Sequence, residues 1–254
     1  MGVEAPREKD VRGQSWDVVT SPACVSVLLP VKELRDAKLR LSRVLSQEQR
    51  GRLVLAMLED VAAAVRGAGF VVTVVSPDVR VLDRADAVGA RPMPQDPRAR
   101  TLNQALARAI SATAPTRAIL VILPDTPLVS STEIRALVSA ESGGAEAWSS
   151  AADVAANGGA GLPREGRPRV AIAPDRAGRG TNALYLRPPR LIRPAFGRGS
   201  LARHRRASES VGVQAAVCRL PGLALDVDAP SDIAALLEVA SDTATHRLLR
   251  EIAE

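Results

Sequence analysis

The run VSVLLPVKELRDAKLRL, Val25 to Leu41, decides how the rest of the chain is read. Its opening, Val25-Ser26-Val27-Leu28-Leu29, is apolar almost without a break and ends at Pro30. That is the pattern of a buried strand. A polar loop with two lysines, Lys32 and Lys38, follows it. Ser46 with Gln49 three residues on is a capping-box pattern, and the apolar-periodic stretch behind it predicts a helix to Val65, stopped by Gly67 and Gly69. Phe70 to Val75 reads as a second strand, and Arg91 to Arg100 as a polar, proline-containing loop. A helix over Leu102 to Ile110 leads to a third buried strand, Ala118 to Leu123, ended by Pro124 and Asp125. Strands alternating with helices predict an α/β fold on a mostly parallel sheet.

Further along, residues 141–167 are rich in Gly, Ala and Ser and predict a surface excursion. Regular structure resumes with strands at Val170 to Ala173 and Leu184 to Leu186, then a helix over Ser200 to Ser208. Strands are expected near Val213 to Leu220 and Leu223 to Val227, with two short helices closing the chain. Residues 1–22 are polar and aperiodic and read as a flexible arm, leaving 23–254 as one domain.

Composition narrows the function classes. Hydrophobic residues make up 46% of the 254 and no apolar run nears the roughly 18 needed for a bilayer span, which argues against a membrane protein. The charged start of the chain has no apolar core of a secretory signal. Two cysteines, Cys24 and Cys218, make neither a disulfide framework nor a zinc cluster, so a reducing cytoplasm is the expected compartment. A net charge of +6 invites a nucleic-acid reading, and a non-catalytic basic RNA-binding protein is the alternative from a different class. Aromatics at 2% leave almost no stacking platform for it, and no nucleic-acid partner is expected. Only three of the 34 cationic side chains are lysines, and two of those are Lys32 and Lys38.

Ligands of open α/β sheets bind outside the carboxyl ends of the strands. Asp125 follows one such end, and Asp226 and Asp228 lie in LALDVDAPSD. On a strand the latter two would share a face, and three convergent carboxylates suit Mg²⁺. The plainer reading is that Asp228 helps start a helix and Asp125 caps a turn. Lys32 and Lys38 follow the first strand, a place where nucleotide triphosphates are commonly held, although a solvated turn fits too. Neither a Walker loop nor a G-x-G-x-x-G fingerprint occurs there. Gly178, Gly180 and Thr181 follow a strand, and Gly197, Gly199 and Ser200 open a helix. Both sets could approach an anion; Ser200 could equally be an ordinary N-cap. His204, Arg203, Arg205 and Arg206 could face phosphate or solvent.

Taken in order, LPVKELRDAKLRL, DPRARTLNQAL, LPDTPLV, APDRAGRGTNALYLRP, FGRGSLARHRR and LDVDAPSD resemble the guanylyltransferases of coenzyme F-420 biosynthesis, which act on phosphoenolpyruvate or 2-phospho-L-lactate. The resemblance runs from Val25 to about Leu237. It implies a Rossmann-like nucleotidyltransferase fold of the GT-A type, with a mostly parallel mixed sheet flanked by helices. It implies GTP and a phosphorylated three-carbon acid as substrates, Mg²⁺ as cofactor and the next enzyme of the pathway as a possible partner. By the same resemblance Asp125, Asp226 and Asp228 are the metal-binding acids. Thr181, Gly197 and Ser200 contact the acid, and Pro30, Lys32, Lys38 and Asn103 lie at the nucleotide. Lys32 and Asp125 are expected to serve the reacting phosphates directly. The chain departs from the family pattern at Arg98-Ala99-Arg100-Thr101, where glycines are common. The expected reaction is guanylyl transfer from GTP to phosphoenolpyruvate, with 2-phospho-L-lactate and 3-phosphoglycerate as alternative acceptors.

Overall fold

The computed structural model describes residues 25–113, 116–140 and 167–254. The expected arm at 1–22 and all but the last residue of the 141–167 excursion lie outside these. Seven strands form one sheet: β1 (Val25–Pro30), β2 (Val71–Ser76), β3 (Arg91–Pro94), β4 (Ala118–Ile122), β5 (Arg169–Ala173), β6 (Ala183–Arg187) and β7 (Ala216–Val217), in the order β3-β2-β1-β4-β6-β5-β7. Only β6 runs against its neighbours β4 and β5; the other pairings are parallel.

Among the described residues the α-helices are α1 (Gln47–Gly67), α2 (Val79–Ala87), α3 (Leu102–Ala112), α4 (Ser131–Ser139), α5 (Ser200–Ser210), α6 (Pro221–Ala224), α7 (Pro230–Leu237) and α8 (Ala244–Ala253). The capping box of α1 is made in full: Gln49 N–H donates to Ser46 Oγ at 3.2 Å, and Ser46 N–H to Gln49 Oε1 at 2.8 Å. Alternate residues of β1 point to opposite faces. Val27 and Leu29 pack with Leu58 and Val61 of α1, whereas Leu28 packs with Leu106 and Ile110 of α3. Both faces are thus covered, which is why the strand reads as an unbroken apolar run.

Two expectations need correction. Arg91 to Pro94 is a strand rather than part of a loop, paired only to β2. At a sheet edge Pro92 and Pro94 withhold N–H groups that no neighbour requires, so two prolines that read as a loop are tolerated in a ladder. Leu223 to Val227 is not a strand. Pro221 at the first helical position opens the short α6, and the chain to Asp228 then runs outside any ladder, with Val227 N–H donating to the backbone oxygen of Asp125 at 3.0 Å.

Candidate active site

From β1 the chain moves outward to β2 and β3, then returns to the other side of β1 to form β4. The carboxyl ends of β1 and β4 therefore flank the switch point of the sheet, where a crevice opens. A cleft of about 480 Å³ lies there, lined by Pro30, Lys32, Lys38, Asp125, Gly197 and Asp228. Met57, Leu102 and Phe196 give it an apolar wall. Six of the residues singled out from the sequence are thus drawn together from four distant segments.

The loop after β1 is anchored at its middle. Leu34 N–H donates to Asp78 Oδ2 at 3.0 Å, and the same carboxylate caps α2 through Arg80 N–H. The Arg80 guanidinium beside Asp78 and these backbone donors hold its carboxyl down at about 2. Beyond the anchor, Lys38 adopts a left-handed backbone, φ +48° and ψ +43°, the sole non-glycine residue among those described with positive φ. Its Nζ stands 2.7 Å from Asp125 Oδ2 and 2.7 Å from Asp228 Oδ1. Burial would push the ammonium down, but the two carboxylates outweigh it and its pKa is raised. Burial likewise pushes Asp228 up, yet Lys38, with Arg40 and Lys32 behind it, brings it below its ordinary value.

Asp226 has a different environment. It is held up by burial and by the charge of Asp125, partly offset by Asn182 Nδ2, which donates to its Oδ1 at 3.3 Å. It does not line the open cleft. Because residues 225–228 are not a strand, Asp226 and Asp228 find separate partners instead of sharing a face. Among the described residues no three His, Cys, Asp or Glu side chains stand ready to ligate a metal, so the expected carboxylate trio does not converge on one point. One observation does fit a cation: Asp125 Oδ1 is buried and has no hydrogen-bond partner. A lone buried carboxylate oxygen is costly unless a charge meets it.

The opposite wall is a clasp around residues 195–197. Asn103 grips the backbone of Phe196 from both sides, its Nδ2 donating to the carbonyl at 3.1 Å and its Oδ1 accepting from the N–H at 2.8 Å. Its amide is therefore spent on holding the wall in place. Arg203 donates to the Ala195 carbonyl through Nε at 3.1 Å and Nη2 at 2.9 Å. His204 is fully buried, with Nε2 accepting from Ala195 N–H at 2.9 Å and Nδ1 3.0 Å from Thr181 Oγ1. Since Nε2 accepts, the proton of the neutral ring sits on Nδ1, and the Thr181 hydroxyl accepts it.

Thr181 and Ser200 are both buried, at 2% and 1% exposure, and neither lines the open cleft. Ser200 is not the N-cap of α5; Gly199, in the left-handed region at φ +71°, takes that place. The Ser200 N–H donates to Gly197 O at 3.0 Å and the Leu201 N–H to Arg179 O at 3.2 Å. Two amides that would meet an anion at the helix start are thereby occupied. Of the acid-contact set, Gly197 alone reaches the cleft. Asn182 and Arg40 were not singled out from the sequence. Asn182 carried a signal, a polar residue just before a buried strand; Arg40, in a chain so rich in arginine, carried none.

Burial, with Arg203 adding to it, pushes His204 down to about 4 from 6.5. A base with a depressed folded pKa stabilises the fold in full above pH 6.5 and loses that contribution as pH falls towards 4, because the unfolded chain then takes up a proton that the folded one refuses. The loss is about 3 kcal/mol. Urea unfolding at pH 7 and pH 4 should show the gap between wild type and His204→Asn closing by about that amount; a gap indifferent to pH contradicts the buried neutral ring.

Comparison with known proteins gives the family and the fold. A family described as "Guanylyl transferase CofC like" matches residues 25–146 and 161–253. A phosphoenolpyruvate guanylyltransferase of Rubrobacter xylanophilus is 39% identical over 217 residues, covering 84% of this chain and 93% of the relative. That of Nocardia farcinica is 36% identical over 238 residues, covering 91% and 93%. Among solved structures, a nucleotidyl transferase from Methanothermobacter thermautotrophicus superposes with a TM-score of 0.58 at 16% identity, covering 90% of this chain and 99% of that one. A 4-diphosphocytidyl-2C-methyl-D-erythritol synthase from Anaerococcus prevotii gives 0.52 at 10% identity, covering 86% and 100%. The latter two bear on the fold, which is that of a Rossmann-like nucleotidyltransferase. With a switch-point cleft at its centre and a family match across both halves of the sheet, the chain belongs to the CofC-like guanylyl transferase family.

Proposed function

We propose that this chain transfers GMP from GTP to phosphoenolpyruvate, releasing pyrophosphate and forming enolpyruvoyl-2-diphospho-5'-guanosine for coenzyme F-420 biosynthesis. Relatives named for this activity, 36% and 39% identical over most of the chain, support the reaction. The observation that carries it within the site is the gathering of Lys32, Lys38 and Arg40 with Asp125 and Asp228 in one cleft. Cations to hold phosphates and carboxylates to hold a counter-cation are both required when two anions must meet.

The phosphate of the acid has a second pKa near 6, so it is largely a dianion at neutral pH and needs no general base. Its oxygen attacks the α-phosphorus of GTP, and the bond to the pyrophosphate oxygen breaks. Lys32 and Lys38 lie where the triphosphate enters beside Pro30 and offset its charge. The Phe196–Gly197 backbone, held by Asn103 and Arg203, gives the acid a rigid wall. Asp125 and Asp228, the two carboxylates of the cleft, would hold Mg²⁺, with Asp226 behind them; such an ion would neutralise charge on the phosphate oxygens and align the groups for in-line displacement.

Pyrophosphate release with GTP, Mg²⁺ and each acid in turn tests the reading. Release should be fastest with phosphoenolpyruvate. Faster release with 2-phospho-L-lactate or 3-phosphoglycerate overturns the choice of acceptor, and silence with all three overturns the reaction. Among the described residues no helix is long and apolar enough to cross a membrane. The two cysteines, too few for a disulfide framework, support a reducing cytoplasm as the compartment of the reaction.

A further inference from the structure

The Lys38 ammonium is bonded to two carboxylates of the cleft at once, 2.7 Å from each, and its side chain is only 10% exposed. The residue reaches this position through a left-handed backbone that a side chain rarely adopts. Such a conformation persists where surrounding bonds over-determine it. Here these are the two ion pairs, together with the turn in which Leu41 N–H donates to Lys38 O at 2.9 Å. Without Lys38, Asp125, Asp226 and Asp228 would leave unpaired negative charge at one end of the sheet, with Arg40 Nη1 no nearer than 3.9 Å to Asp228.

We infer that Lys38 is a tethered counter-ion, occupying in the free enzyme the cationic place between Asp125 and Asp228 that a divalent ion must share or take over. The inference rests on the reading of this cleft as a nucleotidyl-transfer site. It gives the reaction an order. A bare divalent ion competes poorly with a covalently attached ammonium. A divalent ion arriving on a triphosphate brings its own acceptor for that ammonium, so Lys38 leaves the carboxylates for phosphate oxygens as the ion reaches them. Lys38 is thus both a latch on the empty site and a contact of the filled one.

Mn²⁺ binding to the full chain, stripped with EDTA and free of nucleotide, is the test, read by electron paramagnetic resonance. Lys38→Met and Lys38→Gly should each bind Mn²⁺ about tenfold more tightly than wild type, one competing charge having been removed. The same variants should bind GTP with Mn²⁺ more weakly than wild type, a reversal of sign that a general loosening of the site does not produce. Glycine accepts the left-handed backbone without strain, so Lys38→Gly keeps the test open should Lys38→Met fail to fold. Equal or weaker Mn²⁺ binding by the folded variants overturns the inference. A second reading uses the unmodified chain, whose three lysines are Lys9, Lys32 and Lys38. Once resonance shows Mn²⁺ bound, Lys38 should react faster with acetic anhydride relative to Lys32; an unchanged ratio also overturns it. Neither reading requires turnover. Failure of the guanylyl-transfer assay and failure of this competition are therefore separate results.

Discussion

Asp125→Asn is expected to cut pyrophosphate release with GTP and phosphoenolpyruvate by on the order of 10³-fold, with the fold intact. The substitution keeps the shape of the side chain and removes its charge. Its Oδ2 is bonded to Lys38, while Oδ1 is buried with nothing to meet it. A fold gains nothing from an orphaned carboxylate oxygen, so its presence is best accounted for by what the filled site places there. The backbone of residue 125 is unaffected, and its carbonyl still accepts from Val227 N–H. Lys38 keeps its second partner, Asp228, at 2.7 Å. Thermal unfolding should therefore stay close to wild type while turnover collapses. A folded variant with near-normal turnover would remove Asp125 from the chemistry.

The reach of sequence reasoning in this chain follows from the range of the forces involved. β1, β4 and α1 were legible because their signals are local: an apolar run, a proline stop, and a capping box whose two bonds both form. The cleft was legible as a place, since Pro30, Lys32, Lys38, Asp125, Gly197 and Asp228 all line it. What each side chain does there was less so. Asn103 was expected at the nucleotide, yet both ends of its amide hold Phe196, 93 positions away in sequence. Thr181 and Ser200 were expected at the acid, yet His204 and the turn before α5 enclose them. The ion pairs of Lys38 span 87 and 190 residues. No local pattern encodes a partner at that separation, nor does composition show that one lysine of three will take a left-handed backbone. The carboxylate trio failed to converge for a more local reason. Pro221 begins a helical turn that runs into the stretch expected as a strand from Leu223, and the period-two geometry for Asp226 and Asp228 went with it.

That same turn carries the second large effect, Gly222→Ala. Gly222 is buried in α6, and its N–H donates to Glu133 Oε1 at 2.7 Å. Glu133 Oε2 accepts from Ser130 N–H at 2.9 Å, so one carboxylate ties the start of α4 to α6. A methyl group on residue 222 would run into both Glu133 Oε2 and the backbone oxygen of Leu128. A flexible side chain can yield to such a clash, but the Leu128 carbonyl belongs to the segment between Asp125 and α4 and cannot move alone. Overpacking of this kind costs about 3 kcal/mol, and pushing the carboxylate off its two donors adds to it. The damage also travels to the cleft. Leu223 O accepts from Asn182 Nδ2 at 2.8 Å, and Asn182 in turn reaches Asp226. Asp228 lies two residues beyond Asp226, and its Oδ1 is one of the two carboxylate oxygens bonded to Lys38. Displacing α6 should therefore lower the midpoint of thermal unfolding by several degrees. It should also reduce turnover at temperatures where the variant is still fully folded. Gly212→Ala provides the contrast, because a methyl group there meets nothing within 4 Å. It occupies a left-handed turn at φ +73° after α5, so it should cost backbone strain alone and leave turnover untouched. Equal losses of turnover in the two variants would disconnect α6 from the site. A loss confined to Gly222→Ala ties the packing beneath residues 225–228 to the carboxylates they carry.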